Sequence, residues 1–214
     1  MKRLILASAS PRRLDLMRQA GLEFIVRPTD AEDEPGPFPE HAARYASALA
    51  LAKAEAIASA ETDAVVVGAD TVVALDDHLL NKPADAADAR RMLALLQGRT
   101  HQVITGVAVL VVEAGEIARR DVRHVSTDVT MREAAPEEIE AYIATGEPMD
   151  KAGAYGIQGR GALFIQGIVG DYNNVVGLPL FVLSQMLAAA GIPAFGVQAE
   201  VPLNAPSANE SGVK

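Results

Sequence analysis

Residues 100–131, THQVITGVAVLVVEAGEIARRDVRHVSTDVTM, constrain the fold more than any other stretch of the chain. The run is rich in Val, Ile and Thr, and its one turn signal is Glu113-Ala114-Gly115-Glu116. Two long extended segments around a glycine-containing turn predict a long β-hairpin. A hairpin brings an antiparallel pair into the sheet, which disfavours a simple doubly wound parallel architecture. Strands and helices alternate around it, so the sequence reads as an α/β or α+β protein.

The rest of the chain supplies the other elements. LIL is an opening strand, followed by a helix over RRLDLMRQA with Gly21 as its C′ residue. LEFIVRP reads as a second strand and TDAEDEPGPFPE as an acidic, proline-rich loop. An Ala-rich helix runs from about Glu40 to Ala60. The stretch DAVVVGADTVVALDDHLL reads as a buried strand, an interruption at Gly68-Ala69-Asp70, and a second strand turning at Asp76-Asp77. Asp85 caps a helix that stops at Gly98. Beyond the hairpin come a short capped helix, a glycine-rich loop (EPMDKAGAYGIQGRG), a strand in ALFIQGIVGD and a closing helix in LPLFVLSQMLAAAG. Residues 1–196 form one domain in this reading, and residues 197–214 have the composition of a flexible tail.

Composition narrows the function. Half of the 214 residues are hydrophobic and 22% are charged, enough for a core. A net charge of −9 argues against a stable nucleic-acid partner or an acidic membrane surface, which call for a broad basic face. The absence of cysteine removes disulfides, thiolate metal sites and a cysteine nucleophile. The opening apolar run is too short for a secretory signal. The uncharged stretch from Tyr172 to Ala199 is broken by Pro179, Ser184, Gln185, Gly191 and Pro193, so it reads as a buried helix rather than a membrane span. A soluble, cytoplasmic protein is expected.

A few residues stand out chemically. In LASASPRR, Ser10 suits an N-cap and Pro11 the first helical position. Arg12 and Arg13 then fall where the helix dipole disfavours cations by ~0.3–1 kcal/mol each. A bound anion, held also by Ser8 and the first N–H groups, would account for them; solvated arginines on a capped helix are the plain alternative. Asp70 ends an apolar run, where α/β sheets gather ligands, and is a candidate base or metal ligand, or else a turn residue. With the acids Glu32 to Glu34 it offers oxygen ligands for Mg²⁺ or Mn²⁺. Lys53 and Lys82 could neutralise phosphates or simply be surface lysines. Gly156, Gly159 and Gly161 lack the strand-then-helix setting of a dinucleotide fingerprint, and there is no P-loop. The four histidines show no metal-ligand spacing, and Ser8 and Ser10 have no His/Asp relay near them in sequence. Water is therefore the expected attacking group.

LASASPRR, the loop acids DE, LALAKA, GADTVV, NKPAD, HQVITGVAV, DKAGAYGIQG and YNNVVGLPL occur in the order seen in the Maf family of nucleoside triphosphate pyrophosphatases, which the chain resembles over roughly residues 3–190. The resemblance implies an inosine triphosphatase-like architecture, a mixed α/β sheet with two lobes around a cleft, and a homodimer. It implies hydrolysis of a nucleoside triphosphate to the monophosphate and pyrophosphate with a divalent cation, Mg²⁺ or Mn²⁺. Ser8, Arg12 and Arg13 match the phosphate-contacting turn, Glu34 the metal-binding loop acid, and Lys53 and Lys82 the two lysines. Asp70 matches the acid that activates water and binds metal. Arg12, Thr71 and Gln158 resemble the dTTP/UTP branch, Thr71 and Gln158 being expected to read the base edge. Two departures stand out: Ala48 replaces an arginine common in the family, and the tail past Gly196 has no counterpart. Two rival readings are a nucleotide-binding regulator of cell division without turnover, and the same hydrolysis acting on non-standard purine triphosphates.

Overall fold

The computed structural model describes residues 2–29 and 42–193. The acidic loop with Glu34, and the 197–214 tail, lie outside the described residues. Among the described residues seven strands form one mixed sheet: β1 (Arg3–Leu6), β2 (Ile25–Val26), β3 (Ala64–Leu75), β4 (His78–Leu80), β5 (Thr100–Glu113), β6 (Glu116–Met131) and β7 (Ile165–Val169). The order is β2-β1-β3-β5-β6-β7, with β4 pairing β3. The helices are α1 (Pro11–Gln19), α2 (Ala42–Ala58), α3 (Ala86–Leu96), α4 (Pro136–Ile143), α5 (Tyr172–Val176) and α6 (Leu180–Ala189). The hairpin is β5–β6. Its turn residues Ala114 and Gly115 both have positive φ, 51° and 84°, as a two-residue turn matched to strand twist requires.

β3 runs unbroken through Gly68-Ala69-Asp70, contrary to the interruption expected there. The glycine serves packing instead. Ala46, Ala50, Ala54 and Ala58 recur every four residues, giving α2 a face of methyl groups that are at most 1% exposed. That face lies so close to the sheet that a Cβ on Gly68 would stand 2.2 Å from the Ala50 carbonyl oxygen, and one on Gly106 2.3 Å from that of Ala46. Small residues on the helix, with glycine at these two sheet positions, set a short helix–sheet distance.

α2 covers one face of the sheet. The opposite face carries two separate cores. One joins Val65, Val67 and Ala69 with α1 and α6; the other joins Val73, Leu75 and Val103 with α3, α4 and Tyr155. β1 pairs β3 only at Ala64–Val67, and β4 pairs the same side of β3 at Val73–Leu75. Gly68 to Val72 therefore face a notch in the sheet, flanked by the two cores.

The remaining differences from the sequence reading are local. β2 has only two residues, the glycine-rich loop folds into 3₁₀ turns at Glu147–Asp150, Ala152–Ala154 and Gly159–Phe164, and β7 begins only at Ile165. α5 was not anticipated. The uncharged stretch holds α6, whose Leu183, Met186 and Leu187 are buried in the first core. Among the described residues, no helix is long and apolar enough to cross a membrane.

Candidate active site

The notch opens into a cleft of about 870 Å³, and Ser8, Arg12, Arg13, Lys53, Asp70, Thr71, Lys82 and Gln158 all line it. The turn after β1 delivers the first three. Ser10 does not cap α1 with its side chain as expected; its N–H donates instead to Ser8 Oγ at 3.2 Å. Arg13 Nη1 also donates to Ser8 Oγ, at 3.3 Å. The buried Ser8 hydroxyl thus accepts twice and keeps its own proton to donate.

Arg12 and Arg13 are adjacent in sequence and differ in situation. Arg12 reaches across the cleft to Asp150, with Nη1 2.7 Å from Oδ2. Arg13 binds no carboxylate among the described residues. Its N–H groups go to the Gly177 carbonyl (2.9 Å), Ser8 Oγ and Thr71 Oγ1 (3.1 Å). Desolvation pulls its pKa below the ordinary arginine value, the charge of Asp70 works against that fall, and Arg12 adds to it.

Successive residues of a strand point to opposite faces, so Asp70 and Thr71 enter the cleft from opposite sides of β3. Asp70 faces α2, where the close helix places Lys53 Nζ 2.5 Å from Oδ1. Thr71 faces the other way, toward Arg13 and Thr105. The sequence assigns Thr71 to the base edge; in the structure its hydroxyl is bonded to these two side chains. Lys82 and Gln158 are exposed on the rim. Asp70 Oδ2 is the carboxylate oxygen that Lys53 leaves open.

The far wall is the 147–161 loop. The Glu147 carboxylate accepts from Tyr142 Oη and from the N–H groups of Arg160 and Gly161, each at 3.0 Å. Burial works to raise the Glu147 pKa, but these donors outweigh it and hold it below the ordinary carboxylate range. The Asp150 carboxylate, likewise held low despite partial burial, accepts from Lys151 Nζ (2.6 Å) and Arg12. The loop is pinned to the sheet where Tyr155 Oη meets His101 Nε2 at 2.6 Å. His101 is 2% exposed, and burial drives its pKa down to about 4. Sequence reasoning passed over Asp150, Lys151, Glu147 and Tyr155, although all but Glu147 lie in DKAGAYGIQG. The motif YNNVVGLPL carries part of the family resemblance but no site residue in the sequence reading; its Gly177 carbonyl accepts from Arg13.

Among the described residues no three acidic or histidine side chains form a metal-binding group. Lys53 engages one Asp70 oxygen, while Glu147 and Asp150 are committed elsewhere. That donor set fits a Mg²⁺ or Mn²⁺ ion held mainly by ligand phosphates and water, with one or two protein carboxylates.

The cleft at the sheet notch is thus lined by Arg12, Arg13, Lys53 and Lys82, with Asp70 paired to Lys53 and Asp150 to Lys151. The chain belongs to the Maf family: the family model described as Maf-like protein matches residues 3–190. It is 53% identical over 196 residues to the dTTP/UTP pyrophosphatase of Moorella thermoacetica, covering 92% of this chain and 99% of that protein. It is 48% identical over 198 residues to the dTTP/UTP pyrophosphatase of Symbiobacterium thermophilum, covering 91% and 97%. Among solved structures, a nucleoside-triphosphatase/dITP/XTP pyrophosphatase from Mycobacterium abscessus aligns with TM-score 0.37 and 17% identity, over 67% of this chain and 94% of that one.

Proposed function

We propose that this protein hydrolyses dTTP and UTP to the monophosphate and pyrophosphate. The observation that carries the reading is Arg13, a partly buried guanidinium at the cleft whose hydrogen-bond partners among the described residues are all neutral oxygens. A partly buried cation with no carboxylate hydrogen-bonded to it gains a charged partner when an anion arrives. The names of the relatives supply the class of anion.

Ser8, Arg13 and Lys82 would hold the triphosphate, where positioning and fixed charge do most of the work in phosphoryl chemistry. Lys53 gives one N–H to Asp70 and keeps two for phosphate oxygens. Its bond to Oδ1 orients the carboxylate so that Oδ2 takes a proton from water. The water oxygen bonds to the α-phosphorus, the bridge from the α-phosphorus to the leaving oxygen breaks, and pyrophosphate departs with that oxygen. Asp70, with Glu34 as a second carboxylate, would hold the divalent ion, which lowers the pKa of water and offsets charge on the leaving group. Gln158 would read the base. A cytoplasmic homodimer completes the reading, and the exposed Leu163, Val169 and Phe181 give apolar surface for a subunit contact.

The test is product analysis by ion exchange after incubation with dTTP, UTP, CTP, ITP and 7-methyl-GTP, with and without Mn²⁺. Metal-dependent release of dTMP or UMP with pyrophosphate is expected. Tight binding without cleavage would make the protein a regulator, and preferential cleavage of ITP a purine pyrophosphatase.

A further inference from the structure

Thr71 stands directly opposite Thr105 in the β3–β5 ladder, and their hydroxyl oxygens are 2.9 Å apart. The direction of that bond follows from its neighbours. Thr105 Oγ1 donates to the Asn174 carbonyl at 3.0 Å, and a hydroxyl has one proton. Thr71 is therefore the donor between the two threonines. Arg13 Nη2 donates into the same Thr71 oxygen at 3.1 Å. The hydrogen bonds run one way, from the guanidinium through Thr71 and Thr105 to a main-chain carbonyl, an order in which each bond polarises the next.

The other edge of the guanidinium is held by the Gly177 carbonyl, so both supports end on the 171–177 segment. That segment is itself fixed to the sheet. Asp171 Oδ1 accepts from the N–H groups of Asn173 and Asn174, and Asn174 Nδ2 donates to the Val103 carbonyl and to Thr127 Oγ1, both at 2.9 Å. Thr105 and Asn174 are both 0% exposed. Neither can touch a ligand in the cleft.

We propose that Thr71, Thr105 and the 171–177 segment form a clamp that positions the Arg13 guanidinium for a triphosphate, and that Thr71 gives no hydrogen bond to the base. The proposal rests on the reading of the cleft as a nucleotide site. The only Thr71 proton is committed to Thr105 and its oxygen already accepts from Arg13, so Thr71 has no proton to donate to the carbonyl oxygens of thymine or uracil. Base discrimination passes to groups with free donors, of which the exposed Gln158 amide is one. Thr71, Thr105 and Asn174 are positioning residues acting through Arg13.

The test compares wild type with Thr71→Val, Thr105→Val and Thr105→Ser. Binding of inorganic tripolyphosphate is measured by calorimetry, and kcat and KM are measured for dTTP, UTP and CTP. Each Val variant should weaken tripolyphosphate binding about ten-fold, as losing support for a charged hydrogen-bonding group does. It should lower kcat/KM for all three nucleotides by one common factor, and Thr105→Ser should restore both. A Val variant that shifts the dTTP-to-CTP ratio while binding tripolyphosphate normally would overturn the clamp and return Thr71 to the base. Val variants indistinguishable from wild type would overturn it too, as would a wild type that does not bind tripolyphosphate. If Thr105→Val fails to fold, Thr71→Val, at a partly exposed position, decides the matter. A wild type that binds tripolyphosphate but cleaves no nucleotide removes the enzymatic reading, and tripolyphosphate binding alone then judges the clamp.

Discussion

On the sheet side of the cleft, Thr71 and Thr105 are fixed by ladder register, Arg13 by its bonds to Thr71, Ser8 and the Gly177 carbonyl, and the Lys53–Asp70 pair by a helix packed against glycine. On the loop side, residues 147–161 hold together through Glu147, Asp150 and Lys151, whose partners are largely main-chain groups of the same loop or ions on the rim. The first wall is built from regular elements that share buried bonds; the second is a series of 3₁₀ turns with Gln158 exposed on it. A triphosphate is the same in every nucleotide, and a rigid wall suits it. A base varies, and a loop can be retuned without disturbing the sheet.

That division predicts where substitutions act. The largest effect belongs to Asp70→Asn, which should lower kcat by at least ~10²-fold in a pyrophosphate-release assay, the scale of losing a general base. The same variant should leave tripolyphosphate binding nearly intact. Near-wild-type turnover would remove Asp70 from the mechanism and break the assignment of chemistry to the sheet wall.

The helix–sheet contact can be tested by stability. A Cβ at Gly106 would meet the Ala46 carbonyl oxygen and carbon at 2.3 and 2.4 Å, main-chain atoms that cannot swing aside. Gly106→Ala should therefore cost about 1–3 kcal/mol in urea denaturation, the usual range for overpacking. Gly167→Ala, with open space around its Cβ on β7, should stay within about 0.5 kcal/mol of wild type. Equal effects would mean that α2 can retreat, and that the close approach does not fix Lys53 beside Asp70.

His101 joins the two walls, and pH should expose it. Its folded pKa of about 4 lies below the ordinary 6.5, so between those values the unfolded chain binds more protons than the folded one. Stability then rises with pH across that window and falls as pH drops from 6.5 toward 4. From pH 7 to pH 5 the loss is about 2 kcal/mol. His101→Gln should flatten that part of the urea-midpoint profile, and an unchanged profile would show that burial does not set this histidine's charge.

How far the sequence disclosed this depends on the range of the interaction. The hairpin, the Asp85 cap and the helix stops were legible because they follow from turn and capping chemistry within a few residues. The cleft residues were legible because their motifs resemble a family, and the structure sets the described ones around one cavity. Gly68 was misread as a break because its reason is a helix some fifteen residues earlier in the chain; the alanines at 46, 50, 54 and 58 were the signal. The partner of Thr71 was not legible either. Ladder register places Thr105 across from it, and no local pattern encodes that pairing.

The smallest effect predicted falls on the loop wall. The Glu147 carboxylate takes three donors, and its lowered pKa means this contribution is complete above the unfolded value of 4.5 and is lost as pH falls through the folded one. In Glu147→Gln the amide must turn an N–H toward at least one of Tyr142, Arg160 and Gly161, all of which are donors. The loop carrying Gln158 then loses part of its support, while Arg13 and its clamp on the other wall keep every bond. The kcat/KM ratio of dTTP to CTP should move toward unity by about three- to ten-fold, the worth of roughly one hydrogen bond. Tripolyphosphate affinity should stay within two-fold of wild type. A fall in tripolyphosphate affinity with an unchanged base ratio would reverse the roles of the two walls.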